Sequence, residues 1–110
     1  MNSAELEPKA MAALSFLHEK AADHAQHKAN VEYLEGYLKV KRAELKGLST
    51  ASSNAAAEDD ALRHPDYISV LDALKTAHEI HYTAVYKRDA AQTIISVWQS
   101  LCANERVKIL

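Results

Sequence analysis

The sequence of 110 residues has few of the residues that build turns, with only 2 glycines and 2 prolines. Sheets need such residues at short intervals between strands, so their scarcity argues against all-β and α/β folds. Residues that favour helices, chiefly alanine, leucine, lysine and glutamate, are abundant instead. Since 48% of the chain is apolar and its length suits one small core, the composition predicts a single all-α domain over residues 1–110.

The chain also lacks a second cysteine, a long apolar run and an excess of one charge. Cys102 has no internal partner for a disulfide. The longest apolar stretch, residues 10–17, is interrupted by Ser15 and is far shorter than the ~20 residues that span a bilayer. With 13 basic and 15 acidic side chains, no overall field draws the chain to nucleic acid or to an anionic membrane. We therefore expect a cytoplasmic protein with no membrane partner, in which any nucleic-acid contact is local.

No constellation of residues in the sequence indicates catalysis. Gly36 and Gly47 do not form a phosphate-binding loop, and neither Cys102 nor any serine lies in a nucleophile elbow. The Glu-x-x-His pairs of di-iron bundles are missing, and the acidic run at 58–60 is typical of a solvated helix start. The sequence thus predicts a protein that is not an enzyme and holds no cofactor.

The histidines form two closely spaced pairs, His24 with His27 and His78 with His81. Each spacing places two imidazoles on one helical face, as a zinc site requires. A helical hairpin that turns near residue 56, however, offsets the two pairs by about seven residues, or about 10 Å of helix rise. Zinc reaches an imidazole over only ~2 Å, so we predict no metal site.

Helical apolar spacing divides the chain into two long segments, about 8–47 and 65–105. Each starts at a proline, which is tolerated in a first helical turn. The link between them is rich in serine and alanine and is too long for a simple connection, so we expect a short helix near 55–63 capped by Asn54. The pattern predicts a long antiparallel helical hairpin with a short linking helix.

The first long segment carries apolar residues on two faces. Leu14 belongs to one face and Leu34 to the other, and the 20 residues between them turn the two faces by roughly 200°. Two interpretations stay open. Either the helix breaks at 26–30 and forms a compact bundle, or one long helix meets two different neighbours.

The length of the helices bears on assembly. An isolated hairpin of helices about 60 Å long leaves half of its apolar residues in water. We therefore expect a homo-oligomer, in which hairpins associate into a helical bundle. Antiparallel packing brings the start of the first helix to the end of the last, where apolar residues lie on more than one side. The candidate protein interface consists of Met11, Leu14, Phe16, Leu17, Ile94, Trp98 and Leu101.

Aromatic and basic residues alternate over residues 33–46. Basic side chains at helical spacing can follow phosphates, and tyrosines can stack on bases. The alternative is a basic helix end that complements the helix dipole and covers apolar surface. The candidate nucleic-acid contacts are Tyr33, Tyr37, Lys39, Arg42 and Lys46.

Three polar residues, His78, His81 and Arg88, interrupt the apolar stripe of the last helix. Such residues fix the register of two helices by pairing across their contact, or they mark a face that binds another protein. Glu32 and Glu35 on the first helix are candidate partners across the hairpin. We expect the register role, with a partner-binding role as the alternative.

Three segments carry a resemblance to known proteins: VEYLEGYLKVKRAELKG (31–47), HPDYISVLDAL (64–74) and IISVWQSLCANER (94–106). Through them the chain resembles small proteins of tailed bacteriophages that consist of two long helices around an alanine- and serine-rich link. The histidine-rich stretch 18–27 has no counterpart in that pattern. Such proteins belong to early or recombination gene neighbourhoods, so the resemblance implies an accessory role and names no activity.

Two functions follow as hypotheses. The first is a non-enzymatic phage accessory protein that self-associates through its helices and acts by binding a host or phage protein, with a host defence or replication factor as the target it would inhibit. The alternative is a nucleic-acid-binding accessory of phage DNA recombination or replication.

Overall fold

The computed structural model describes residues 1–109, and within them the chain is all-α, with no strand. Helix α1 spans Ser3–Leu48, α2 spans Asn54–Arg63 and α3 spans Pro65–Ile109. The two long helices run antiparallel and pack against each other, with α2 in the link between them. The predicted helical hairpin is thus confirmed. None of the described helices is both long enough and apolar enough to cross a membrane.

Helix α1 begins five residues before the predicted start at Pro8. The side chain of Asn2 accepts a hydrogen bond from the Glu5 amide at 2.9 Å, and its carbonyl accepts one from Leu6 at 3.3 Å. Asn2 is therefore the cap that satisfies the first free amides of the helix. Pro8 lies about one and a half turns inside α1, where it removes a single main-chain hydrogen bond.

The linking helix α2 lies where the composition predicts it, but its cap is a different residue. Ser53 has extended backbone angles, and its hydroxyl accepts a hydrogen bond from the Ala56 amide at 3.1 Å. Asn54, the predicted cap, is instead the first residue of the helix. Serine and asparagine cap helices equally well, so composition alone does not decide between neighbours.

Helix α1 is continuous, so the break considered at 26–30 does not occur. Its buried and half-buried positions recur at alternating intervals of four and three residues, a period of 3.5. At that period 21 residues complete six turns, so Ala13, not Leu14, shares the face of Leu34. The repeat consists of Leu6, Ala10, Ala13, Leu17, His24, His27, Val31, Leu34, Leu38, Lys41 and Leu45, with Lys20 as its exposed member.

Helix α3 follows the same period on the side that faces α1. We call the line along which these two sets of residues face each other the seam. Its members on α3 are Tyr67, Val70, Leu74, Ala77, His81, Ala84, Ala91, Ile95, Trp98, Cys102 and Glu105, with Arg88 as the exposed member.

The described chain forms two compact units, of which one is the segment Gln26–His81. Its core is a cluster in which Val31 of α1 packs against Leu74 and Ala77 of α3, with Leu34 and Leu38 packed against it. Large residues here meet small ones, which lets the two helices approach closely.

Helix α2 belongs to the same unit and is held by both apolar and polar contacts. Its inner side buries Ala57 and Ala61. Arg42 of α1 forms an ion pair with Glu58 of α2. The Ser49 hydroxyl, just after α1, donates a hydrogen bond to Asp60 at 2.7 Å.

The other unit joins Met1–Ala25 to the part of α3 from Tyr82 onward. Its buried residues, Leu6, Ala10, Ala13 and Ala91, are mostly small. The Ser3 amide donates a hydrogen bond to Glu105 Oε1 at 2.8 Å, and the Ser3 hydroxyl donates to Oε2. That contact sets the register of this unit, and stepping seven residues inward along both helices places Trp98 opposite Ala10.

Candidate protein interface

Most of the large apolar side chains of this protein are in contact with water. Among the described residues, four large apolar side chains are buried, and they are Leu6, Val31, Leu45 and Leu74. Fifteen others are exposed, including Met11, Leu14, Tyr33, Val40, Ile80, Tyr86 and Val97. The remaining buried residues are alanines. Tight helix contact through alanine therefore leaves the bulky side chains of both units on the outside.

A groove of about 420 Å³ lies between α1 and α3 in the unit that contains both chain ends. Alanines from both helices form its floor, and Phe16 of α1 and Ile94 of α3 are its bulky apolar members. The Phe16 ring also meets the His24 ring edge-on at 6.1 Å, which holds it along its own helix. The lining residues of this α1–α3 groove are Lys9, Ala12, Ala13, Phe16, Lys87, Ala90, Ala91 and Ile94.

Two lysines, Lys9 and Lys87, also line the groove, one on each helix. Among the ion pairs of residues 1–109, none involves either of them. Two acidic residues, Glu19 and Asp23, follow the groove on α1, and Asp23 pairs with Lys20 at 3.8 Å. The groove thus combines an apolar interior with two positive charges that have no ion-pair partner among the described residues.

The structure separates the predicted protein interface into four places. Phe16 and Ile94 line the groove. Leu17 and Trp98 occupy the seam and are half-buried there. Met11 and Leu14, 41% and 44% exposed, lie on the side of α1 that points away from the groove. Leu101 is half-buried near the end of α3. The seven residues therefore do not form one continuous surface.

The tyrosines of the candidate nucleic-acid stripe stack on each other. The rings of Tyr33 and Tyr37 lie 6.2 Å apart at an interplanar angle of 11°. Lys41 lies 5.7 Å above the Tyr37 ring and 3.4 Å from Glu44. Desolvation acts to lower the pKa of Lys41, but the Glu44 carboxylate and Tyr37 outweigh it, so the pKa is raised. The direct contacts of the Lys41 ammonium thus come from its own helix, and the charge of Asp66 on α3 adds to the rise.

The basic residues of that stripe differ in their availability. Arg42 is engaged by Glu58 of α2. Lys39 is exposed and Lys46 is half-buried. Tyr33 is 67% exposed. A nucleic acid would therefore meet the exposed tyrosines, of which Tyr33 is the more open, and the exposed Lys39 before it displaced an existing ion pair.

The three predicted polar seam residues have different surroundings. His78 Nε2 lies 3.6 Å from Glu35 Oε1, across from α3 to α1. His81 is half-buried. Arg88 is exposed and lies 3.4 Å from Asp89 of its own helix. His78 thus has an acidic partner across the hairpin.

The predicted offset of the histidine pairs is corrected by the register. Since Val31 packs against Leu74 and Ala77, one further turn along each helix places His27 opposite His81. The predicted offset of about seven residues between the two histidine pairs was wrong. The turn of the hairpin lies two to three residues nearer the N-terminus than residue 56, which brings the two pairs closer together along the helices. The described residues bring together no group of three or more histidine, cysteine, aspartate or glutamate side chains around a metal position.

Sequence reasoning missed three residues that the structure makes prominent. Lys9 and Lys87 were not singled out in the sequence, although both lie directly beside seam positions of their helices. Lys20 was not recognised as a seam position, because the repeat was read at 3.6 rather than 3.5 residues per turn. Comparisons of the chain with protein-family models, with curated proteins and with solved structures find no match.

Proposed function

We propose that this chain is a non-enzymatic interaction protein, which self-associates through its helices and acts by binding another protein. The observation that carries the proposal is the exposure of fifteen large apolar side chains against four that are buried, among the described residues. Exposed apolar surface of this extent is typical of helices that pack against further helices.

Self-association belongs to the side of α1 that carries Met11 and Leu14. Both side chains point away from the groove and are more than two-fifths exposed. Burial of each in a contact between two copies would contribute about 1 to 2 kcal/mol. A second hairpin on this side would complete a four-helix bundle.

The biological setting rests on the resemblance to two-helix proteins of tailed phages. It supports a phage accessory protein that works in the cytoplasm of the host cell and binds a host or phage protein there. A host defence or replication factor is the target class that such a role favours. No residue arrangement described above offers a nucleophile, an activated base or an oxyanion site, so the proposed role needs no catalysis.

Affinity capture tests this function. The tagged chain is incubated with nuclease-treated lysate of phage-infected cells, and bound proteins are identified by mass spectrometry. We expect a protein partner in stoichiometric amount that survives nuclease treatment. Loss of every partner on nuclease treatment would contradict the proposal and favour the alternative.

The alternative is a nucleic-acid-binding accessory of phage recombination or replication. The observation in its favour is the exposure of both the Tyr33 ring and Lys39 on the same helix. The ion pairs Lys41–Glu44 and Arg42–Glu58 rank it second, because they engage two of the four basic residues at 39–46. It predicts binding of single-stranded DNA that weakens steeply with salt and is lost in a Lys39→Glu variant. Binding that is insensitive to salt would contradict it.

A further inference from the structure

The residues that line the α1–α3 groove suit the binding of a helix. Its floor is made of Ala12, Ala13, Ala90 and Ala91, which lets the backbone of a third helix come close. Phe16 lies on α1 and Ile94 on α3, so the two side chains can contact both sides of the apolar face of a bound helix. A helix with small and aliphatic residues on one face fits this shape better than an extended strand, since α-helices present no free backbone edge for strand pairing.

The two lysines lie toward opposite ends of the groove. The Ser3–Glu105 contact sets the register, so Lys9 is level with residue 99 of α3, twelve residues from Lys87. Twelve residues of helix correspond to about 18 Å. On an incoming helix, two residues twelve positions apart differ by roughly 120° about the helix axis. Their side chains therefore lie on either side of an apolar stripe that runs between them.

We propose that the α1–α3 groove binds one amphipathic helix of another protein, with an acidic residue on each flank of its apolar stripe about twelve positions apart. This inference rests on the proposed function and adds the chemistry of the partner. Each acidic residue pairs with one of the lysines, Lys9 or Lys87, while the stripe packs on Phe16 and Ile94.

Charge argues against a second copy of this chain as the occupant. Both ends of the groove carry a lysine. When two copies pack groove to groove about a twofold axis, a lysine of one copy therefore meets a lysine of the other at each end. Both orientations of the contact therefore bring like charges together in an apolar surrounding, which is unfavourable. Self-association is accordingly assigned to the side with Met11 and Leu14.

Binding of a defined peptide tests the proposal on the full chain. The probe is a fluorescein-labelled, end-blocked helix of about 18 residues with an alanine and leucine stripe and glutamates at its third and fifteenth positions. The matched probe carries lysines at those two positions. The protein variants are K9E/K87E and, as a control of the same net charge, K28E/K75E, whose lysines are exposed in the other unit.

Fluorescence anisotropy should show that the wild-type chain binds the acidic probe about tenfold more tightly than the basic one. The K9E/K87E variant should reverse that preference, and K28E/K75E should keep it. Circular dichroism confirms that each variant is helical. Equal binding of both probes, or no saturable binding of the acidic probe at millimolar protein, would overturn the proposal.

Two further outcomes separate this inference from the proposed function. If K9E/K87E alters the oligomeric state of the chain in sedimentation velocity, a second copy occupies the groove and the inference is wrong. If the probes show no preference while the chain still captures a nuclease-resistant protein, the proposed function stands and the groove assignment fails. If the peptide binds as expected but no protein is captured, the proposed function fails instead.

Discussion

At the scale of single residues, this protein is stabilised by a small number of well-buried side chains among many alanines. Leu74 is 8% exposed and packs in the cluster with Val31 and Ala77. Leu71, three residues earlier on the same helix, is 44% exposed. The two leucines differ in burial but not in chemistry or helix, so they form a matched pair for measuring what the cluster contributes.

Leu74→Ala should lower the free energy of unfolding by about 2 to 3 kcal/mol, because it removes buried apolar contact and leaves a cavity. Leu71→Ala should change it by less than about 1 kcal/mol, since the side chain is largely in water. Urea denaturation followed by circular dichroism measures both. Similar losses for the two variants would contradict the burial of Leu74, or show that Leu71 is covered by a second copy.

The sequence allowed us to predict which residues are candidates for the site, but not which groups surround them in the fold. The four-residue spacing of Tyr33 and Tyr37 places both on one side of a helix, and the rings stack. That Arg42 is engaged by Glu58 depends on how α2 folds back, which no local pattern in the sequence encodes. His78 has Glu35 as an acidic neighbour across the hairpin, and Glu35 was one of two residues considered for that position.

At the scale of helices, the seam has a period of 3.5 residues in both long helices. The helix type, the linking helix and the start at Pro65 could be predicted because they depend on local signals such as prolines, caps and apolar spacing. The buried face of α1 could not be predicted in the same way. Its member Ala13 carries little hydrophobic signal, and the neighbouring Leu14 is the more hydrophobic residue although it is exposed. Over 46 residues, the difference between 3.5 and 3.6 residues per turn is enough to shift the inferred face.

Lys20 lies at a seam position of the unit that contains both chain ends. The register of that unit places it level with Arg88, so two positive charges share one layer, and each has an acidic neighbour on its own helix. Lys20→Leu should raise the free energy of unfolding by about 1 kcal/mol, because it replaces a like-charge layer with apolar contact. Lys39→Leu, an exposed position off the seam, serves as control and should change stability by less than about 0.5 kcal/mol. Equal effects in urea denaturation would contradict the assignment of Lys20 to the seam.

A pH-sensitive contact joins the first residue of α1, Ser3, to Glu105 near the end of α3. Hydrogen bonds from the Ser3 hydroxyl and the Ser3 amide hold the pKa of Glu105 below its ordinary value of 4.5. A carboxyl whose pKa is lowered on folding stabilises the fold above its unfolded pKa, and that contribution is lost as the pH falls through the folded pKa.

The Ser3 amide should therefore be protected from hydrogen exchange at neutral pH and should lose that protection as the pH falls below 4.5. The Glu105→Gln variant should show weaker protection at neutral pH and little further change on acidification. NMR-detected exchange over a pH series measures both. Protection of Ser3 that is the same in the wild-type chain and the variant would show that the contact does not join the helix ends.

At the scale of the whole molecule, two surfaces have different proposed roles. We propose self-association for the apolar side with Met11 and Leu14, and binding of a partner helix for the α1–α3 groove, which adds two lysines to an apolar floor. Both roles follow from one property of the chain, which is that alanine-rich helix contacts bury few large side chains. The groove was not visible as such in the sequence, because it combines residues from distant parts of the chain, whereas Met11 and Leu14 were both among the predicted interface residues.

Sedimentation velocity over a wide range of protein concentration tests the central claim most directly. The exposed apolar side chains predict that the wild-type chain associates reversibly into dimers or larger assemblies. M11S/L14S should shift association to higher concentration by about tenfold or more. The control E19Q changes an exposed residue of the same helix on a side that does not carry Met11 and Leu14, and should behave as the wild type. A wild-type chain that stays monomeric at every concentration and binds no apolar dye would contradict the account.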